Sequence, residues 1–234
     1  MMSNRRRIIF IILRLICITL FITSYLFDYK YAGKPTFFTV QSNAFALVIM
    51  FIFTVYDILI LSKKNICIPS FLYKLKYIAT VSISLTCIVF CFLLTPLLVI
   101  QGRADVSFAF SSISMHLIIP IISIIDYLLD GFDKRMKLYY LPLSLTFPLY
   151  YLGFAYIASS LGVKFQDYVE GKEVLSKFPY FFLDYEKYGW LTIDDSKIGV
   201  IYWYIMIIID ILFISLILVL VKNYIIKKTN RVKQ

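Results

Sequence analysis

The stretch "SSISMHLIIPIISIIDYLL" runs from Ser111 to Leu129. Taken back to Val106, it has the length a membrane helix needs: about 20 residues at 1.5 Å each cross roughly 30 Å of hydrocarbon. It also holds the chain's one histidine, His116, four residues before Pro120. Five other runs are as long and as apolar, so the expected spans are about 8–27, 37–61, 77–100, 106–129, 138–161 and 199–221. They use up most of the 234 residues, of which 61% are hydrophobic, with a mean hydropathy of +0.83. Soluble domains are nearer half apolar. The expectation is one integral membrane domain over residues 1–234, an all-α bundle of six transmembrane helices.

The opening "MMSNRRRIIFIILRLICITLF" has the basic start of a signal peptide. Its apolar run is too long for one, and no small-residue cleavage site follows, so it reads as a retained first span. The net charge of +10 raises the question of nucleic acid, and its distribution answers it. With the N-terminus cytoplasmic, the inner segments hold Arg5, Arg6, Arg7, Lys63, Lys64, Lys74, Lys76, Lys134, Arg135, Lys137, Lys222, Lys227, Lys228, Arg231 and Lys233. The short outer loops hold Lys30, Lys34 and Arg103, and the long outer loop 162–198 has five lysines against seven acids. This is the positive-inside asymmetry. The charge encodes a multi-pass protein of the cell membrane with both termini cytoplasmic, and no nucleic-acid partner is implied.

Cys17, Cys87 and Cys91 fall in spans and Cys67 in an inner loop, so no disulfide framework is expected. Cys87 and Cys91 share a helix face with no histidine or carboxylate near them, a packing pattern rather than a metal site. Gly-rich phosphate loops and zinc motifs are absent from the sequence, and no metal or organic cofactor is implied. The loop 162–198 is long and rich in aromatics (Phe178, Tyr180, Phe181, Phe182, Tyr185, Tyr188, Trp190). Such a loop suits either the headgroup interface or a lid.

Ionisable groups at membrane depth are costly, so each asks for a reason. Arg14, Asp57 and Asp126 sit at similar depth, a few residues in from the inner boundary, and are expected to form an ion network that fixes packing. Asp210, near the middle of the sixth span, joins this structural group but has no obvious partner at its level.

His116 differs. On a helix, Ser112, His116, Ser123 and Asp126 fall within about 80° of arc, a polar stripe expected to face the bundle interior. Pro120 lacks the N–H that would bond the His116 carbonyl, so a kink and a small cavity are expected there. At the outer end of the second span, "FFTVQSNAF" puts Thr39, Ser42, Asn43 and Ala46 on one face. A hydroxyl beside an imidazole makes a nucleophile with its base, and Asn43 or Ser42 would serve an oxyanion. Ser112, one turn from His116, would orient the ring. The same residues also suit hydrogen bonding between helices as packing glue. Chemistry alone leaves both readings open.

Phe-Phe-Thr (37–39) followed by Met-His-x-x-x-Pro (115–120) resembles the androgen-induced protein and androgen-dependent TFPI-regulating protein family of multipass membrane proteins, in its bacterial six-span branch. Leu13-Arg14 and the Pro-aromatic-aromatic-x-Leu-Asp run from Pro179 to Asp184 extend the likeness. The resemblance implies a threonine hydrolase that cleaves fatty acid esters of hydroxy fatty acids, with Thr39 and His116 as its essential pair. Val40-Gln41-Ser42-Asn43 follows the bacterial branch rather than the mammalian one. The function expected is an intramembrane lipid-ester hydrolase whose partners are a fatty-acyl ester substrate and membrane lipids. The alternatives are a small proton-coupled transporter using His116, Asp126 and Asp210, and a lipid-binding protein without turnover.

Overall fold

A chain in hydrocarbon must satisfy its own backbone N–H and C=O groups, and a helix does so within one segment. The computed structural model describes residues 3–27, 35–63, 66–100, 102–132, 134–169, 172–194 and 197–231. Six helices in it are long and apolar enough to span a membrane: Asn4–Phe27, Phe38–Leu61, Ser70–Ile100, Phe110–Leu129, Leu138–Ser160 and Val200–Asn230. The protein is an all-α bundle of six spans. One end carries Asn4 and the C-terminus of the sixth span, and is called here the basic end; the other is the loop end. Of the topology-setting cations, Lys30, Lys34, Lys64 and Lys233 lie outside the described residues.

Three of the boundaries that differ from the sequence reading have a physical reason. The third span starts at Ser70 rather than near 77, and the sixth runs past 221. Lys76 and Lys222 look like loop residues in sequence, yet are 3% and 1% exposed because they pair inside the bundle. The fourth span does not begin near 106. Ala109 is extended (φ −59°, ψ 147°) and separates a short helix, Ala104–Phe108, from the span proper. His116 therefore stands six residues from the start of its span instead of about ten, which brings it nearer the depth of Thr39.

The third span is central. Every residue from Lys76 to Thr86 is buried. Thr80, Ser82 and Ser84 each turn their hydroxyl back to a carbonyl four residues earlier, at 2.7–2.9 Å. Small side chains that satisfy themselves in this way let neighbouring helices approach on all sides. One apolar cluster joins the first four spans through Cys17, Ala46, Met50, Phe53, Ile83 and Ile119. A second joins the third, fourth and sixth spans through Tyr77, Val81, Tyr127, Ile211 and Leu218, with Tyr140, Leu141 and Phe147 of the fifth packed against it.

The long loop folds over the loop end. It contains two hairpins, β1 (Phe165–Val169) with β2 (Lys172–Ser176) and β3 (Ile193–Asp194) with β4 (Lys197–Ile198). Between them lie a 3-10 turn, Phe181–Leu183, and a one-turn helix, Tyr185–Tyr188. Phe178 and Leu183 are buried against Tyr151 and Ala155 of the fifth span. The Tyr151 hydroxyl donates to the Thr36 carbonyl (3.0 Å), and Tyr156 bonds both the Leu183 carbonyl and the Tyr204 hydroxyl. Part of the aromatic set is thus a packed cap, while Phe181 and Trp190 stay exposed.

Candidate functional site

Proline sets the geometry around His116. Pro96 and Pro120 each lack a donor, and each is preceded by a π turn, Phe90–Leu94 in the third span and Ser114–Ile118 in the fourth. A wide turn stands where the sequence leads one to expect a kink: Thr95 N–H reaches the Phe90 carbonyl and Ile119 N–H the Ser114 carbonyl, five residues back. Such turns recur at functional sites. The two meet, for the His116 ring stacks on Phe90 with centroids 4.2 Å apart at 18°. His116 Nδ1 lies 2.8 Å from the Ser112 carbonyl oxygen. A carbonyl only accepts, so Nδ1 carries a proton, and in the neutral imidazole Nε2 keeps its lone pair. Ser112 does orient the imidazole, but through its backbone rather than its hydroxyl.

Asn43 joins the second span to the fourth. It is fully buried, and its Nδ2 donates to the Thr39 carbonyl (2.8 Å) and to the Met115 carbonyl (3.0 Å). Its Oδ1 is buried without a partner among the described residues. Because the Asn43 side chain meets the Met115 carbonyl, Thr39 stands about one turn nearer the loop end than Met115, with His116 one residue deeper, a rise of about 7 Å between the two. Ser42 is committed to packing: its hydroxyl donates to the Thr39 carbonyl or shares a hydrogen bond with Thr86, each at 3.0 Å. No hydrogen bond joins Thr39 to His116.

The group nearest the start of the second span comes from the cap. The second span has no side-chain N-cap at Phe37, so its first N–H groups need an outside acceptor. Tyr180 supplies it. Its hydroxyl accepts from Phe38 N–H (3.2 Å) and lies near the backbone and side chain of Thr39. Burial pushes the Tyr180 phenol up to about 12, so it keeps its proton at ordinary pH. Tyr180 belongs to the aromatic run from Pro179 to Asp184, but no spacing rule ties a loop tyrosine to a helix start more than a hundred residues earlier.

At the basic end, Arg14 grips Asp126 with two bonds (Nε–Oδ2 3.0 Å, Nη2–Oδ1 2.7 Å) and reaches Asp57 with a third (2.8 Å). Arg7 also pairs with Asp57. Two lysines that the sequence assigns to loops complete the cluster. Lys76 meets Asp126 (2.9 Å) and Asp130 (3.6 Å), and Lys222 meets Asp130 (2.5 Å). Lys76 also donates to the Asp126 carbonyl, and Lys222 to those of Tyr127 and Leu128. These carbonyls end the fourth span, where acceptors are orphaned and the helix dipole favours cations. Asp210 takes no part: it is exposed on the sixth span and has no ion pair or hydrogen bond among the described residues.

Fold and geometry define a multi-pass membrane protein with a polar site at one end and a closed ion network at the other. Compared with family models, curated proteins and solved structures, the chain matches none.

Proposed function

We propose that the protein is an intramembrane lipid-ester hydrolase, with Thr39 as nucleophile and His116 as general base. The observation that supports this most is the Asn43 bridge, which ties the helical turn of Thr39 to that of His116. The imidazole is already in the tautomer a base needs, with Nε2 free. Thr39 attacks the ester carbonyl, its proton passes to His116 Nε2, and the same proton then goes to the departing alkoxide. A water resolves the acyl-threonine: it gives its proton to His116, which returns it to Thr39 Oγ as the acyl–oxygen bond breaks and the fatty acid leaves. The tetrahedral oxygen is held by the N–H groups of Phe38 and Thr39 at the start of the second span, where the Tyr180 hydroxyl now sits. Substrate entry displaces Tyr180. The family resemblance makes fatty acid esters of hydroxy fatty acids the substrate class, and the excess of Lys and Arg makes the basic end cytoplasmic.

A proton relay through His116, Asp126 and Asp210 lacks comparable support. Asp126 is held by Arg14 and Lys76, and Asp210 faces outward.

The test is labelling with a lipid-like fluorophosphonate, run on wild type, Thr39→Ala and His116→Ala, with mass spectrometry of the adduct. The expected result is a wild-type adduct on Thr39 that both substitutions abolish. A folded wild type that takes no label, or takes it at another residue, overturns the assignment.

A further inference from the structure

Seven charged residues are buried in the bundle, and each meets an opposite charge: Arg7, Arg14, Asp57, Lys76, Asp126, Asp130 and Lys222. Asp210 is the exception. It lies ten residues into the sixth span, about 15 Å from its loop end and so near the middle of the hydrocarbon. It is exposed, in a stripe with Met206, Ile209, Phe213, Ile217 and Leu220, all of which are also exposed. Carboxyl groups at this depth are rare on a lipid face and ordinarily meet a partner.

The chemistry of that partner follows from charge and symmetry. A second copy related by a two-fold axis presents the same face, and so sets another carboxyl at the same depth. Nor do the described residues offer a cation at that depth for a head-to-tail contact. Among the described residues, the exposed Lys and Arg side chains lie near the span ends or in loops, and Arg14, Lys76 and Lys222 are buried. We propose that this face of the sixth span seats a transmembrane helix of another protein, one that carries a lysine or arginine at mid-bilayer depth to meet Asp210. The apolar stripe supplies the packing surface, and the ion pair sets depth and choice of partner.

The experiment uses the full chain, donor-labelled in phosphatidylcholine vesicles, with acceptor-labelled synthetic helices of about 23 leucine and alanine residues. These differ only at the central position: lysine, leucine or glutamate. Energy transfer is expected to show association with the lysine helix about tenfold stronger than with the leucine helix, the scale of one interhelical polar contact in lipid. The glutamate helix should show no such gain. Asp210→Ala, a lipid-facing change that leaves the core intact, should remove the preference. Equal association of wild type with the lysine and leucine helices overturns the proposal, as does a preference that survives in Asp210→Ala. So does a disulfide between two Ile209→Cys copies that depends on Asp210, since that gives the face to a second copy.

Discussion

Replacing Asp126 by leucine should be among the most damaging single changes in the bundle. Its carboxylate is fully buried and accepts from Arg14 twice and from Lys76 once. In the network four cations (Arg7, Arg14, Lys76, Lys222) face three carboxylates (Asp57, Asp126, Asp130). Without Asp126, four cations face two. Arg14 keeps only Asp57, which it shares with Arg7, and Lys76 keeps only Asp130 at 3.6 Å. Breaking one partner of a buried pair costs about 3–5 kcal/mol, and Arg14→Met should cost a similar amount. The double variant removes one charge of each sign and puts apolar volume beside the Phe10 and Phe53 rings that flank the guanidinium. It should be no less stable than either single variant, a coupling of about 3 kcal/mol or more. Unfolding in mixed micelles against sodium dodecyl sulfate, followed by far-ultraviolet circular dichroism, measures all three. Single-variant losses below about 1 kcal/mol, or losses that simply add, would show that the network is solvated and the reasoning wrong.

Two further predictions concern the loop end. Tyr180→Phe removes the hydroxyl that accepts from Phe38 N–H, and should lower stability by about 1 kcal/mol. Fluorophosphonate labelling of Thr39 should then speed up several-fold; slower labelling would make the phenol a participant rather than an occupant. Asn43→Ala breaks the bridge to Met115 and should cost about 1–3 kcal/mol in the same unfolding assay. It should also slow labelling of Thr39 while leaving His116 present, and unchanged labelling would show that the bridge does not align the pair.

Composition and hydropathy alone determined that six helices would form and roughly where. That information is local: about 20 apolar residues in a row have one way to satisfy their backbone in lipid. Arg14, Asp57 and Asp126 were legible as a group because each stands out against an apolar background at the same depth. Lys76, Lys222 and Asp130 were not, since at the ends of apolar runs a cation looks the same whether it faces solvent or the carbonyls of another helix. His116 and Asn43 could be placed on polar faces from 100° periodicity. Which faces meet, and at what height, depended on the break at Ala109 and the paired π turns, which hydropathy does not encode. Tyr180 over Thr39 and Asp210 on an open face are tertiary facts of the same kind. A sequence records the depth of a residue along its own helix; the neighbours around that helix are decided only when the helices pack.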